Sequence, residues 1–269
     1  METAELDCLN FGKLDSVEVL GTGIELFRAG RGAPLLFLHG IDGLEGSAAV
    51  LSELAKSFEV YAPSHPGFGA SELPAGMDRV DDMGYLYLDM LGVLGLEAPL
   101  VVGTSFGAWA ACEMLTKEPA RASGLVLASP LGLKTADRRE HWVADIFMLS
   151  KQDLAQRLQV AEPEGPTLFE MSEGQMLRAL RADEALSLFG WTPYMCNPKL
   201  ADRLHRITCP AMVVWGEKDA MIDPEYRLRW RDALPQARVS MLPGAGHRSH
   251  ADKPAELAEQ IGQFATGAA

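Results

Sequence analysis

Residues 100–115 read LVVGTSFGAWAACEML. A short apolar run reaches Gly103, presents Ser105, meets a second glycine at Gly107 and continues with helical composition. A structural turn between a strand and a helix needs no hydroxyl at its apex, whereas a nucleophile does. The pattern G-x-S-x-G is the one expected where small residues let the backbone turn sharply and hold a serine out of the fold. A serine that merely caps a helix is the alternative reading. It leaves the glycines on both sides unexplained.

The flanks of this motif set the fold class. The stretches 16–20 (SVEVL) and 23–27 (GIELF) read as antiparallel strands turned at Gly21-Thr22-Gly23. Residues 33–40 (APLLFLHG) form a continuous apolar run ending on glycine, as expected of a strand buried on both faces. Further strands are expected at 58–63, 98–103, 123–129, 209–219 and 237–242. Helical patterns lie between them at 47–57, 78–96, 106–117 and 224–234, with a last one at 254–265. Alternating strands and helices predict an α/β fold with a mostly parallel sheet covered on both faces. From about Pro130 to Arg206 only helical patterns occur, over 135–150, 151–160 and 174–189. The chain therefore divides into a core of 1–130 and 207–269 with a helical insertion at 131–206.

Composition excludes several classes. The 269 residues are 48% hydrophobic, enough for a sizeable core. With 37 acidic against 24 basic residues the net charge is −13, which argues against nucleic acid as a partner. The first fifteen residues lack the basic start and apolar run of a secretory signal, and no apolar stretch approaches the roughly 20 residues of a membrane span. Cys8, Cys112, Cys196 and Cys209 are scattered without a CxxC pair, so a reducing cytoplasm is the default expectation. His205 and Cys209 stand four apart, too few ligands for a zinc site, and no metal is expected.

In a parallel sheet the functional groups collect beyond the carboxyl ends of the strands, and Ser105 stands at such an end. A serine hydroxyl needs a base oriented by a third group. Strand 209–219 is followed by Asp219 and Asp223, and strand 237–242 by His247 and His250. Asp223 precedes Pro224, the usual pair at a helix start, so the catalytic acid is assigned to Asp219. His247 follows Gly244-Ala245-Gly246, a loop able to aim the imidazole inward, and is assigned as base. His250 is assigned to packing or capping. The developing oxyanion needs two N–H donors, assigned to the backbones of Phe106 and of Ile41, after LFLHG. His39 and His65 are read as shaping their loops, and His141 and His205 as surface residues of the insertion.

The marks LFLHG, SHPGFGAS, GTSFGA, WGEKDAMIDP and GAGHRSHADKP, in this order, resemble the α/β-hydrolase family. The resemblance covers most of the chain outside the insertion. It implies an eight-stranded, mostly parallel sheet, a helical cap after the sixth strand, acyl-enzyme chemistry on a small-molecule substrate and no cofactor. Ser105 argues against family branches with an aspartate nucleophile. Carbon–carbon hydrolases of ring-cleavage products are similar in layout, but typically carry tryptophan after the histidine, where this chain has Arg248. The expected activity is hydrolysis of carboxylic esters, with C–C cleavage, lactones or thioesters as alternatives. A ligand sensor that keeps the fold is the alternative from another class. Trp142, Phe147, Met148, Phe189, Trp191, Tyr194 and Met195 are the candidate lining of an apolar substrate pocket. Each is also a candidate for packing the insertion onto the core.

Overall fold

The structure, a computed structural model, describes residues 7–134, 142–158, 160 and 170–267. Eight strands form one sheet: β1 (Lys13–Val19), β2 (Thr22–Ala29), β3 (Ala33–Leu38), β4 (Phe58–Pro63), β5 (Leu100–Thr104), β6 (Gly124–Ala128), β7 (Ala211–Gly216) and β8 (Arg238–Leu242). Their order is β1-β2-β4-β3-β5-β6-β7-β8. β1 and β2 pair antiparallel, as do β2 and β4, and every other pairing is parallel. β5 thus lies near the middle of the sheet, and β5, β6 and β7 are buried along their whole length.

Alternation along the central strands sorts their side chains into two cores. Leu36, Leu38, Val101, Leu125 and Leu127 face one layer, with helices α2 (Val80–Val93), α3 (Phe106–Lys117) and α6 (Pro224–Ala233). Leu35, Phe37, Leu100, Val102 and Val126 face the other, with α1 (Ala48–Leu54) and α8 (Pro254–Ala265). Continuous apolar runs are what a sheet covered on both faces requires. Between β6 and β7 run α4 (Lys151–Leu158) and α5 (Glu173–Gly190), and a four-residue helix, α7 (Ser249–Asp252), precedes α8. Among the described residues, no helix is long and apolar enough to cross a membrane.

Two local expectations are corrected. The first turn centres on Leu20-Gly21 rather than on Gly21-Thr22-Gly23, because Val19 pairs with Thr22. Both central residues have positive φ, 49° and 82°, the hairpin turn whose twist suits the flanking strands. The helix expected over 135–150 is absent from its described part. Residues 135–141, His141 included, lie outside the described residues, and 142–150 hold an isolated bridge from Val143 to Ile222 and a turn at 146–148 in place of a helix. Asp145 accepts hydrogen bonds from the amides of Phe147 (3.0 Å) and Met148 (3.2 Å). Such local side-chain bonds compete with helix. At α5 the same chemistry marks a start, since Ser172 accepts from the Gln175 amide at 3.2 Å and Gln175 accepts from the Ser172 amide at 2.9 Å.

Candidate active site

The β5–α3 turn is shaped by close approach on both sides of Ser105. A Cβ on Gly103 would lie 2.6 Å from the Cα of Ala108, and one on Gly107 would lie 2.2 Å from the carbonyl oxygen of Leu38. The glycines therefore allow α3 to start hard against β5 and β3. The conformational strain falls on the serine itself, with φ 51° and ψ −112°. Such a backbone costs on the order of 1–3 kcal/mol and persists only where its surroundings impose it. Here the Ser105 amide donates to Ala128 O at 2.8 Å, and its carbonyl accepts from the Leu131 amide at 3.2 Å.

Two further loops converge on the hydroxyl. The end of β7 and the loop after β8 cross so closely that a Cβ on Gly216 would sit 2.0 Å from Gly246 O. The Lys218 amide donates to Ala245 O at 2.8 Å, tying one loop to the other. This crossing sets Asp219 beside His247. The His247 Nδ1 lies 2.9 Å from Asp219 Oδ2, and its Nε2 lies 2.8 Å from Ser105 Oγ. Asp219 Oδ1 accepts from the amides of Met221 (3.0 Å) and Ile222 (3.2 Å). The carboxylate is an acceptor only, so Nδ1 carries the proton and Nε2 offers its lone pair to the hydroxyl. All three side chains are buried, Ser105 at 3% exposure. The arrangement can take a proton from Ser105, hold it as an imidazolium and return it.

The family match bears on the same span. The model of the alpha/beta hydrolase family matches residues 35–260. The chain belongs to this family. This alpha/beta hydrolase is 28% identical over 88% of its length to the dihydrolipoyllysine-residue acetyltransferase component of an acetoin cleaving system from Cupriavidus necator, and spans 64% of that protein. It is 27% identical to a 2-hydroxymuconate semialdehyde hydrolase from a Pseudomonas species, over 92% of both chains. Among solved structures it resembles a carboxylesterase from Bacillus subtilis with a TM-score of 0.77 and 17% identity, over 97% of this chain and 94% of the other.

Around the serine of this hydrolase the remaining assigned residues fall as follows. A Cβ on Gly40 would be 3.5 Å from Ser105 Cβ, so the loop carrying Ile41 abuts the serine. Phe106 opens α3 directly after it. Among the described residues neither the Ile41 nor the Phe106 amide enters a hydrogen bond. His39 Nδ1 donates to Gly40 O at 2.7 Å, while Nε2 accepts from the His65 amide at 2.9 Å. His65 bonds His39 O and the Tyr87 hydroxyl. Burial pushes both imidazoles below the usual histidine range. They are neutral props that shape the Ile41 loop. Asp223 caps α6 by accepting from the Glu225 amide at 2.9 Å, and His205 is exposed. His250 is buried in α7 and pairs with Asp42.

Within the segment between β6 and β7, α5 is held to β2 and to neighbouring loops by two arginines whose contacts sequence reading did not find. Arg178 of α5 grips both oxygens of the buried Glu25 of β2, each at 2.8 Å, and also bonds Glu45. Arg181 donates to Ser71 O at 2.5 Å. The exit and entry of the segment are joined where Asn197 N donates to Gly132 O at 2.9 Å and Gly132 N donates to Met195 O at 3.1 Å. Asn197 Nδ2 reaches Glu113 Oε1 of α3 at 2.8 Å. Burial, with Asp81 nearby, pushes the Glu113 carboxyl upward.

Of the candidate lining residues, Phe189 and Met195 are buried, and the Phe189 ring lies 6.4 Å from that of Phe106. Phe147 packs on Trp191 (5.0 Å between ring centres) and Tyr194 (6.0 Å). The Tyr194 hydroxyl donates to Ala144 O at 2.6 Å and accepts from the Ile146 amide at 2.9 Å. Trp142 is half-buried. Met148 stands 80% exposed and Trp191 60% exposed.

Proposed function

We propose that this hydrolase is a serine esterase that cleaves small to medium carboxylic esters through an acyl-enzyme. The observation that carries the reading is the unbroken relay Ser105–His247–Asp219, with hydrogen bonds of 2.8 and 2.9 Å. His247 Nε2 takes the Ser105 proton as Oγ bonds to the ester carbonyl carbon. Asp219 fixes the tautomer and stabilises the imidazolium. The amides of Ile41 and Phe106 receive the oxyanion. Collapse breaks the carbon–oxygen bond, and His247 protonates the departing alcohol. A water molecule, deprotonated by His247, then releases the acid and restores the serine. No cofactor or metal takes part in these steps.

The segment 131–206 is assigned as a cap over this centre. Phe189 supports that place, because its ring reaches Phe106, next to the nucleophile. Trp142, Phe147, Met148, Trp191, Tyr194 and Met195 complete the proposed apolar lining, which would hold acyl or alcohol groups and exclude water. The scattered cysteines suit a cytoplasmic enzyme.

A second reading is cleavage of carbon–carbon bonds in ring-cleavage products. The likeness to the 2-hydroxymuconate semialdehyde hydrolase, over 92% of both chains, favours it. A panel of 4-nitrophenyl esters of graded chain length, alkyl esters, thioesters, lactones and ring-cleavage dienoates separates the two. The esterase reading predicts the highest kcat/KM on short to medium esters. A dienoate turned over with a kcat/KM at least a hundredfold above every ester would replace it by the second reading.

A further inference from the structure

Asp42 follows Ile41 directly, and its carboxylate reaches across the sheet's carboxyl end to the loop of His247. Asp42 Oδ2 accepts from Arg248 Nε at 2.9 Å, and Arg248 Nη2 lies 2.8 Å from the same oxygen. His250 Nε2 lies 2.9 Å from it as well. The side chains are largely closed to solvent, Asp42 at 12%, Arg248 at 20% and His250 at 2% exposure. The other carboxylate oxygen faces the serine side, since a Cβ on Gly40 would lie 2.9 Å from Asp42 Oδ1. Gly46 leaves room beneath, where a Cβ would come within 2.2 Å of Oδ2. Burial alone would raise the Asp42 carboxyl, but the Arg248 charge and His250 hold it well below the usual carboxylate range. These partners thus favour the carboxylate form of Asp42.

The histidine loop has separate supports. The Gly246 amide donates to Asp252 at 2.7 Å, and the Arg248 amide donates to Leu158 O at 2.7 Å. These fix its path, yet neither connects it to the Ile41 loop. Among the described residues, the side-chain link between the two loops runs through Asp42. Its carboxylate binds side chains one and three residues after His247, and its backbone continues from the amide assigned to the oxyanion. A forked guanidinium with an imidazole on one oxygen is a stiff, charge-assisted connection.

We propose that Asp42 is a positioning residue that locks the oxyanion-donating Ile41 loop to the His247 loop, holding proton acceptor and oxyanion donor at one fixed separation. This rests on the serine-esterase reading. The chemistry explains why such a lock would act on rate. The tetrahedral intermediate must meet both the imidazole and the Ile41 amide, and small displacements of preorganised groups lower catalysis steeply. Ground-state binding of an ester needs neither group so strictly placed.

The test uses Asp42→Asn and, because that variant removes a buried anion beside two basic groups, also Arg248→Lys, which keeps the charge but not the fork. Each is titrated with a fluorophosphonate to count competent Ser105 sites, and hydrolysis of 4-nitrophenyl butyrate is expressed per titrated site. The lock predicts a fall in kcat of about tenfold to a hundredfold for Asp42→Asn and a smaller fall for Arg248→Lys, with KM changed less than threefold. The double variant should be no slower than Asp42→Asn alone, since both changes open one connection. A merely structural ion pair would lower the melting temperature and leave kcat per site within twofold of the parent, and that result overturns the proposal. Should Asp42→Asn not fold, an Arg248→Lys kcat within twofold overturns it equally. Failure of the unaltered enzyme to label at Ser105 would instead overturn the esterase reading, and the lock with it.

Discussion

Ser105 holds a backbone conformation that side chains rarely adopt, at φ 51°, and the groups facing it divide their tasks by the atoms they present. Asp219 uses Oδ2 for His247 and Oδ1 for two backbone amides. An asparagine there can keep its oxygen on the Met221 and Ile222 amides, but its NH2 then faces His247 Nδ1. The imidazole would shift its proton to Nε2 and lose the lone pair that receives the serine proton. Asp219→Asn is therefore expected to lower kcat on an activated ester by about 10³-fold or more. Asp223→Asn should stay within about threefold, because asparagine caps a helix as well as aspartate does. Steady-state kinetics on both variants checks this, and the reverse ranking would move the acid to Asp223. That Asp223 caps a helix was legible in sequence, because proline at 224 marks a helix start. The role of Asp42 was not, since its partners lie 206 and 208 positions away.

The strand–turn–helix unit β5–α3 depends on contacts between backbones rather than between side chains. Gly107 brings α3 against the carbonyl oxygens of Leu38 and His39, where a Cβ would sit at 2.2 and 2.3 Å. Neither neighbour is a side chain that could swing aside. Gly107→Ala should therefore destabilise the protein by about 1–3 kcal/mol, the usual range for overpacking. Gly92→Ala is the matched control, because that glycine lies in α2 with nothing near its missing Cβ. It is expected to gain roughly 0.5–1 kcal/mol from helix propensity. Thermal unfolding of the pair decides, and equal melting temperatures would refute the close-approach account. The glycines and the sharp turn were visible in the sequence, but that the rarely adopted φ falls on Ser105 itself, with the glycines serving close approach, was not. The expected helix over 135–150 failed in its described part for a related reason. Asp145 offers its carboxylate to two following amides, and periodicity does not register that local competition.

Sheet order is the property of the molecule that alternation of strand and helix cannot supply. Apolar runs at β3, β5, β6 and β7 announce buried parallel strands, and the family resemblance implies their number. That β3 lies between β4 and β5 follows from pairing across distant chain segments. The consequence is that loops from β3, β5, β7 and β8 end on one rim of the sheet, where Ser105, Asp219 and His247 meet. The anchoring of α5 through Glu25 and Arg178 was equally hidden, because a buried ion pair across 153 positions leaves no periodic trace. The central claim is that Ser105 becomes acylated during turnover. Acid quenching of the enzyme in the first moments of reaction with 4-nitrophenyl acetate, followed by peptide mass spectrometry, measures this directly. The account predicts one acetyl group per chain, located on Ser105, with Ser105→Ala unlabelled and slower by several orders of magnitude at an unchanged melting temperature. Acetyl groups found only on other residues, or a Ser105→Ala variant that keeps a tenth of the parent activity, would contradict it.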